Sequence, residues 1–464
     1  MLKASILLPL EQLDKVTREV SRLQSTISNK NESMGEMNKK ANITSCIFLL
    51  SILSFNAQSQ TIGVEAKAPA YELPEMLISS KGEKIQTPED WINIRRPEII
   101  TLFGEYEYGR FPGTCLEKKF ETVKIDSNAL CGKAVQKNIV ACFIKDGDTI
   151  PMELLIFIPA HATKPVPLFV GMNFYGNQSI LPDPGIPVTK SYVLNNPEYH
   201  IFNHTATEES RGADSSSWPV ERILERGYGL ATFCYDDLDP DFDDGFKNGI
   251  HSLLDYSEKN DSNELSSISA WAYGLTTAMD YFETDERINK NQIVVIGHSR
   301  LGKAALWAGA IDQRFAMVIS NNSGCGGAAL SRRIAGETVK DINTRFPHWF
   351  CKNFHDYNDK ENEIPVDQHM LIGLIAPRPV YVGSAEQDEW ADPYGEFLSL
   401  YHAGPVYTLF GLEILEKDTL PEINKPLWTG KMGYHIRTGG HAITRFDWEK
   451  YLDFADYHFD RKDK

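Results

Sequence analysis

A chain of 464 residues with 42% hydrophobic and 24% charged residues has the composition of a soluble globular protein, which excludes a fibrous or disordered class over most of its length. The formal net charge of -17 argues against a nucleic-acid partner, because neutralising phosphates requires a surplus of Lys and Arg on at least one face. An acidic surplus is instead consistent with solubility outside a cell.

The first sixty residues have the pattern of an export signal. Residues 37–40 (MNKK) form a short basic start, and residues 43–55 (ITSCIFLLSILSF) form an apolar run that is too short for a comfortable membrane span. Residues 57–59 then supply small side chains for a signal peptidase. Because such a signal normally begins a chain, we expect translation to start at Met37 or Met34. A short membrane anchor with a cytoplasmic tail is the alternative interpretation.

The predicted organisation follows from that signal. Residues 1–60 are expected to be an over-extended N terminus plus a signal peptide at about residues 37–59, and residues 61–464 a single catalytic domain of a secreted or periplasmic protein. We expect a monomer with no stable membrane insertion after signal removal. Six of the seven cysteines lie outside the apolar run and could form disulfides in an exported protein, with the pairing left open. No spacing of Cys or His indicates zinc, so we expect no metal or cofactor.

The predicted elements alternate between strands and helices. After a lead-in at residues 63–114 that we expect to be irregular, continuous apolar runs predict strands at 139–145, 152–159, 167–173 and 229–234, with a polar surface insertion at 175–217. A helix at 267–285, a strand at 292–296, a helix at 301–310 and strands at 316–320 and 378–382 follow. This order predicts an α/β-hydrolase fold: a mostly parallel, doubly wound sheet with helices on both faces and loop insertions. Catalytic groups of such sheets lie at the carboxyl ends of strands.

Residues 293–303 (IVVIGHSRLGK) run from a β-branched segment through a Gly-His-Ser turn directly into a helix-forming segment. This is the context of a nucleophile elbow, so we predict Ser299 as the nucleophile, with Gly297 leaving room for the strained turn. The helix N terminus favours developing negative charge, which makes the N–H of Arg300 the expected oxyanion donor. The simpler interpretation is a helix capped by Ser299. The second glycine, Gly302, comes one residue later than in the usual elbow.

A serine nucleophile needs a base and an orienting acid, which follow it in the chain order serine, acid, histidine. The later histidines are His369, His402, His435, His441 and His458. His402 and His458 lie in helical patterns and His435 in a strand-like one. His441 follows two glycines in a loop before a predicted helix at residues 445–459, so we predict it as the base. A surface-loop histidine is the alternative.

The acid is less clear from the residues alone. The loop after the predicted strand at 316–320 has no carboxylate. The loop after the strand at 378–382 contains four, namely Glu386, Asp388, Glu389 and Asp392. Of these, Asp388, Glu386 and Asp392 remain candidates, although Asp392 precedes a proline and could instead cap the next helix.

Several of these segments resemble one family. The segment GHSRLGK at residues 297–303 resembles the G-x-S-R-x-G-K signature of the glucuronoyl esterases, the carbohydrate esterase family fifteen. Residues 322–327 (NSGCGG) are similar to its E-S-G-x-G-G block, and a Trp-Phe pair, a tryptophan and a Gly-Gly-His segment follow in the family's order. The resemblance covers roughly residues 90–460, and the late glycine is a feature that this family shares.

The resemblance implies a role for each matching residue. It implies Ser299 as nucleophile, His441 as base, Arg300 as oxyanion stabiliser through backbone and side chain, and Lys303, Glu337 and Trp390 as contacts of the uronic-acid ring. The family's usual acid would fall at Asn322, which carries no charge. Many bacterial relatives place an acid in the later loop instead, and that position matches Asp388. We therefore predict Asp388 as the triad acid.

The same resemblance implies a substrate. Members of the family cleave esters between 4-O-methyl-glucuronic acid on xylan and lignin alcohols. We therefore expect a secreted serine esterase that acts on glucuronoxylan or lignin–carbohydrate esters through an acyl-enzyme, with no metal. Two other functions remain open. One is an acetyl or feruloyl polysaccharide esterase with the same triad, and the other is a non-catalytic glucuronoxylan-binding relative, which the uncharged Asn322 would suggest.

Overall fold

A computed structural model describes residues 68–110, 116–254 and 264–461, so the predicted signal peptide and start site lie outside the described residues. Within these ranges the fold is built on one ten-stranded sheet. Its strands are β1 (Glu117–Asn128), β2 (Ala134–Lys145), β3 (Asp148–Pro159), β4 (Val166–Asn173), β5 (Gly229–Cys234), β6 (Ile288–His298), β7 (Met317–Asn321), β8 (Val380–Ala385), β9 (Leu427–Thr429) and β10 (Met432–Arg437).

Helices and helical turns connect these strands. They are α1 (Pro88–Asp90), a π-helical turn at Trp91–Arg95, α2 (Arg96–Tyr106), α3 (Ala129–Gly132), α4 (Val220–Glu225), α5 (Ser267–Phe282), α6 (Arg300–Ile311), α7 (Val339–Arg345), α8 (Lys352–His355), α9 (Gln368–Gly373), α10 (Pro393–His402), α11 (Gly404–Leu409) and α12 (Arg445–His458). Short 3-10 turns occur between them, three of them in the insertion at residues 175–217.

The sheet is mostly parallel, as predicted. Its strands lie in the order β1-β2-β3-β5-β4-β6-β7-β8-β10-β9. All neighbours from β5 across to β10 are parallel, whereas β1, β2, β3 and β5 pair antiparallel at one side and β9 pairs antiparallel with β10 at the other. Every residue of β4 and β5 is buried, which explains their uninterrupted apolar sequences.

Strand β6 shows that both faces of the sheet are covered. Ile293 and Val295 belong to one buried cluster, which includes Trp271 of α5, while Val294 and Ile296 belong to a second cluster, which includes Trp448 of α12. Because alternate residues of a strand point to opposite faces, the two clusters lie on opposite sides of the sheet. The prediction of an α/β-hydrolase fold with helices on both faces is therefore confirmed.

The lead-in at residues 63–114 differs from the expectation. We predicted irregular structure, but a helical run extends from Pro88 to Tyr106. Thr87 and Asp90 form a reciprocal capping box at its start. Ile99 and Phe103 are fully buried in the larger cluster, so tertiary burial stabilises a segment whose proline and β-branched residues concealed its helical pattern.

The five described cysteines, Cys131, Cys142, Cys234, Cys325 and Cys351, are all free thiols. The disulfides that we considered are therefore absent among them, and Cys46 and Cys115 lie outside the described residues. Burial raises the pKa of the Cys351 thiol to about 12 and the pKa values of the Cys234 and Cys325 thiols well above the ordinary value. Among the described residues, no helix combines the length and hydrophobicity that crossing a membrane requires.

Parallel neighbours bring four strand ends to one edge of the sheet. Strand β6 ends at His298, β7 at Asn321, β8 at Ala385 and β10 at Arg437. The carboxyl ends of parallel strands lie side by side, so the loops that follow these strands meet at this edge. Beneath them, Glu396 of α10 accepts hydrogen bonds from the backbone N–H groups of Ser323 (2.7 Å) and Gly324 (3.0 Å) and from the Ser384 hydroxyl (2.5 Å).

The burial of Glu396 predicts a pH-dependent stability. Burial raises the pKa of this carboxyl from 4.5 to about 8. The folded state then binds more protons than the unfolded state between these values, so the free energy of unfolding should fall as the pH rises through that window. In Glu396→Gln, which preserves the hydrogen-bond geometry, we expect the decrease between pH 5 and pH 8 to be smaller by at least about 1.4 kcal/mol, equivalent to one pKa unit.

Urea unfolding at several pH values measures this difference. Glu89→Gln, at an exposed helix start, is the control and should retain the wild-type pH slope. An unchanged slope in Glu396→Gln would show that the carboxyl stays ionised in the folded protein.

Candidate active site

The turn between β6 and α6 holds Ser299 in a strained conformation. Its backbone has φ 57° and ψ -131°, and its N–H donates to the carbonyl oxygen of Asn321 at 2.9 Å. A Cβ on Gly297 would lie 1.9 Å from the carbonyl oxygen of Leu301, so only glycine fits at this position, two residues before the serine. Such strain at a non-glycine residue is typical of a functional site.

The late glycine of the motif has a separate steric reason. A Cβ on Gly302 would lie 3.0 Å from the Ser323 side chain and 3.1 Å from the carbonyl oxygen of Gly297. The glycine therefore lets the first turn of α6 lie close to the residues that follow β7.

Ser299, His441 and Asp388 are brought together in one hydrogen-bonded row. The Ser299 hydroxyl donates to Nε2 of His441 at 2.8 Å, and Nδ1 of His441 donates to Oδ2 of Asp388 at 2.6 Å. These contacts assign one tautomer to the ring, with the proton on Nδ1 and the lone pair of Nε2 facing the serine. A nucleophile, a base and an orienting acid have this arrangement.

Asn322 occupies the position of the acid in the family's E-S-G-x-G-G block, and its side chain contacts Asp388. Its amide donates to Oδ2 of Asp388 at 2.7 Å, and its backbone has φ 47°. Burial raises the pKa of Asp388, but the hydrogen bonds from His441 and Asn322 outweigh this effect and lower the pKa below the ordinary value. The buried carboxyl is therefore ionised at neutral pH, as a partner of an imidazolium must be.

The competing carboxylates have other surroundings. Asp392 accepts a hydrogen bond from Nε of Arg333 at 2.8 Å and lies at the N-terminal boundary of α10. Glu386 is partly exposed, and its backbone N–H donates to the carbonyl oxygen of Arg437. The His441 ring instead contacts the carboxylate of Asp388.

Arg300 is held by a buried carboxylate that the sequence did not reveal. Its guanidinium forms an ion pair with Asp241 and lies 4.5 Å from the ring centroid of Trp349. Asp241 also accepts hydrogen bonds from Tyr235 (2.8 Å), His348 (2.9 Å) and Trp349 (2.7 Å). Burial raises the pKa of Asp241, yet the His348 hydrogen bond and the Arg300 charge hold it well below the ordinary value.

Lys303, which we predicted as a contact of the sugar ring, does not face solvent. Its side chain is buried, and its ammonium donates to the carbonyl oxygens of Ser323 and Cys325, each at 2.5 Å. Burial lowers the pKa of the ammonium, and the Glu337 carboxylate opposes this effect. Two of its three donors are thus used within the loop that follows β7, and a contact with sugar hydroxyls stays a prediction.

Glu337 and Trp390 lie together, as two parts of one surface. The backbone N–H of Glu337 donates to the carbonyl oxygen of Trp390 at 2.9 Å. Arg345 joins both side chains, because it forms an ion pair with Glu337 at 3.4 Å and lies 5.4 Å from the Trp390 ring centroid. Trp390 is 47% exposed, so the part of its ring that Arg345 does not cover faces solvent.

A cleft of about 310 Å³ opens at Ser299 and His441. Its apolar wall includes Phe174, Tyr175, Leu194, Tyr199, Trp218 and Ile443. The insertion at residues 175–217 therefore contributes directly to the walls of this cleft. A larger groove of about 770 Å³ elsewhere on the molecule contains none of the predicted site residues.

Sequence reasoning missed the cluster that orients Arg300. Asp241 lies in an acidic segment, DDLDPDFDD at residues 236–244, where charge alone does not distinguish one carboxylate from the next. His348 precedes the Trp-Phe pair of the family resemblance, which was the available signal. Among the described residues, no group of His, Cys, Asp and Glu could hold a metal ion.

The fold and the site geometry define a class of protein. A strained serine between a parallel strand and a helix, within reach of a loop histidine and a strand-end carboxylate, is the arrangement of α/β-hydrolases.

Comparison with known proteins identifies the family within this class. The sequence model of the fungal glucuronyl esterases matches residues 221–411. The carbohydrate esterase MZ0003, from an unknown prokaryotic organism, is 47% identical over 85% of this chain and 91% of its own length. A solved promiscuous CE15 esterase from a marine bacterial metagenome is 47% identical with a TM-score of 0.80, covering 85% of this chain and 98% of that chain. The glucuronoyl esterase from Solibacter usitatus is 43% identical with a TM-score of 0.79, covering 84% and 99%. This chain belongs to the glucuronoyl esterases, carbohydrate esterase family 15, of the bacterial type, and is a carboxylic ester hydrolase.

The acid assignment can be tested directly. Asp388→Asn keeps the shape of the side chain but removes the charge that would stabilise a protonated His441, so we expect kcat to fall on the order of 10⁴-fold. Glu386→Gln, two residues away in the same loop, is the matched control and should retain kcat within about threefold. Steady-state kinetics on an ester substrate measures both, and the opposite ranking of the two variants would reassign the acid.

Proposed function

We propose that this esterase hydrolyses esters of 4-O-methyl-glucuronic acid, in glucuronoxylan or at lignin–carbohydrate links, through an acyl-enzyme formed on Ser299. The observation that carries the proposal is the hydrogen-bonded row of Ser299, His441 and Asp388 at the strand edge of a glucuronoyl esterase fold. The substrate class comes from the family to which the chain belongs.

Acylation follows from the positions of these groups. His441 takes the hydroxyl proton as Ser299 attacks the ester carbonyl, and Asp388 stabilises the resulting imidazolium. The imidazolium then donates that proton to the departing alcohol, leaving the uronic acid esterified to the serine. In the second half, water attacks the acyl-enzyme with His441 again as base, which releases the uronate and restores the serine.

Arg300 is the proposed stabiliser of the oxyanion. Its backbone N–H lies in the first turn of α6, where N–H groups have no partner within the helix. Its side-chain Nε is buried without a hydrogen-bond partner among the described residues, and Arg300 also lines the cleft that opens at Ser299. The ion pair with Asp241 limits the motion of the guanidinium, which favours preorganised stabilisation of charge.

Recognition of the uronic acid is proposed for the surface around Trp390. An exposed indole face is suited to a sugar ring, and Glu337 supplies a carboxylate beside it. Lys303 is buried with two of its donors bonded to loop carbonyls, so its proposed contribution is the positive charge that it places near Glu337. The proposed location is secreted or periplasmic, which the export pattern at residues 37–59 supports, and the proposed enzyme is a monomer.

Substrate comparison tests the proposed specificity. The wild type should hydrolyse benzyl glucuronate, with much weaker activity on acetylated xylan, and Ser299→Ala should lose at least about 10³-fold of this activity. Trp390→Ala should raise KM for benzyl glucuronate about tenfold, a loss of about 1.4 kcal/mol, and leave p-nitrophenyl acetate hydrolysis nearly unchanged.

The control is Tyr457→Ala, which removes another exposed aromatic residue near the C terminus of α12. It should change neither substrate's kinetics. Strong activity on acetylated or feruloylated xylan without activity on glucuronate would identify the alternative polysaccharide esterase. Binding of glucuronoxylan with no turnover would identify a non-catalytic relative.

A further inference from the structure

The loop that carries His441 has little burial of its own. Gly440 and His441 are exposed, and a Cβ on Gly440 would meet no atom within 4 Å. The ring nevertheless lies within hydrogen-bond distance of both Ser299 and Asp388. Ile443 packs against the smaller buried cluster, and the backbone N–H of Gln387 donates to the carbonyl oxygen of Gly439 at 3.0 Å. The peptide groups next to His441 are held by a further side chain.

Arg437, the last residue of β10, provides that hold. Its side chain is 4% exposed. Nη1 donates to the carbonyl oxygen of Thr438 at 3.0 Å, and Nη2 donates to the carbonyl oxygens of Gly440 at 3.0 Å and Ala442 at 2.5 Å. The guanidinium therefore binds the peptide carbonyls on both sides of His441.

Asp447 fixes Arg437 from the other side. It is fully buried, and Oδ2 accepts from Nε of Arg437 at 2.8 Å as well as from the backbone N–H (2.7 Å) and hydroxyl (2.6 Å) of Thr444. Thr444 and Asp447 form the capping box that begins α12. The two ends of the loop, at Arg437 and Thr444, are thus joined through one carboxylate.

The Asp447 carboxylate also accepts hydrogen bonds from side chains of strands β10 and β7. Oδ1 of Asp447 accepts from Nε2 of His435 at 2.8 Å and from the amide of Asn321 at 3.2 Å. Burial raises the pKa of Asp447, but the hydrogen bond from His435 and the charge of Arg437 lower it below the ordinary value. The carboxyl therefore stays charged, and a charged acceptor binds its donors more strongly than a neutral one.

A final contact connects this cluster to the elbow. Nδ1 of His298 donates to Oδ1 of Asn321 at 2.7 Å, and the His298 ring lies 4.6 Å from the His441 ring, centroid to centroid. Burial lowers the pKa of His298 to about 3, so a neutral ring supports His441 without competing for its proton. Hydrogen bonds therefore connect both the loop that carries His441 and the turn that carries Ser299 to the buried carboxylate of Asp447.

We propose that Arg437 is a positioning residue, which holds the backbone on both sides of His441 and so sets the distance of the imidazole from Ser299 and Asp388. The inference rests on the proposed function, because Arg437 acts only through His441. A displacement of a catalytic group by about 1 Å costs on the order of 10²-fold in rate, which sets the expected effect.

A matched pair of arginine variants tests the proposal. Arg378, before the amino end of β8 and therefore at the other edge of the sheet, also donates to backbone carbonyls, those of Gly309, Asp312, Phe315 and Ile375. Arg378→Ala removes a comparable set of hydrogen bonds without touching the His441 loop. It controls for the general loss of stability that Arg437→Ala also causes.

Two activities are measured on the full chain. The first is steady-state hydrolysis of benzyl glucuronate, and the second is sulfonylation of Ser299 by phenylmethanesulfonyl fluoride, in which the serine oxygen displaces fluoride and its proton leaves through His441. We expect Arg437→Ala to lower kcat and the sulfonylation rate about 10²-fold, with KM within about threefold of wild type. Arg378→Ala should retain both rates within about threefold.

Chemical rescue separates positioning from simple destabilisation. Added guanidinium at millimolar concentration should restore the rates of Arg437→Ala by about tenfold and leave those of Arg378→Ala unchanged, because only the first variant has a guanidinium-shaped vacancy beside the base. If an alanine variant does not fold, Arg437→Lys and Arg378→Lys replace the pair. Lysine keeps the charge but offers fewer donors, so Arg437→Lys should lose about tenfold in kcat and Arg378→Lys should not.

The outcomes are distinguishable. Equal losses in the Arg437 and Arg378 variants, a rise in KM with unchanged kcat, or no rescue by guanidinium would each overturn the positioning role. A wild-type enzyme that reacts with the sulfonyl fluoride but does not hydrolyse glucuronate esters would instead overturn the proposed substrate, and the sulfonylation rates would still decide the role of Arg437.

Discussion

The hydrogen bond between Asp388 and His441 is the interaction on which the arrangement of this site depends. It joins the end of β8 to the loop after β10, and it fixes which ring nitrogen faces Ser299. The carboxyl must remain charged although it is buried, and the amide of Asn322 contributes to that charge by donating to it. A neutral residue at the position of the family's usual acid is thus compatible with the proposed triad, because Asn322 donates to the carboxylate that follows the neighbouring strand.

A second principle is that buried polar and charged side chains position the groups of the site from below the surface. Arg300 is directed by Asp241, His441 is supported through Arg437 and Asp447, and the residues after β7 are held by Glu396. Each of these contacts joins a flexible loop or side chain to a rigid strand end. Polar networks of this kind are costly unless every member is satisfied, and they specify one geometry when it is.

The sequence predicted the parts of this structure that have a local signature. The β-branched run before Ser299, the glycines around it and the helix formers after it predicted the elbow, because strand, turn and helix are each short-range preferences. His441 was predicted as the base from its loop context, and the structure places its ring beside Ser299 and Asp388. The helical run after Thr87 was missed, since its stability comes from burying Ile99 and Phe103 against distant residues.

The supporting residues were beyond the reach of sequence reasoning for the same physical reason. Asp241 and Arg300 are 59 positions apart, and nothing near either residue indicates that they meet. Asp447 lies in the first turn of α12, and its contacts with His435 and Asn321 depend on how strands distant in the sequence and a helix converge. Lys303 lies on the predicted helix, yet its direction toward two loop carbonyls follows from burial that only the folded chain creates.

The free thiols have a consequence for how the protein core responds to oxidants. Its described core is held by burial, hydrogen bonds and ion pairs, without covalent links among Cys131, Cys142, Cys234, Cys325 and Cys351. The three buried thiols resist ionisation, and the thiolate is the form that reacts with oxidants and disulfides. The packing around Cys234, Cys325 and Cys351 therefore involves no disulfide among the described cysteines, and burial shields these three thiols from oxidants.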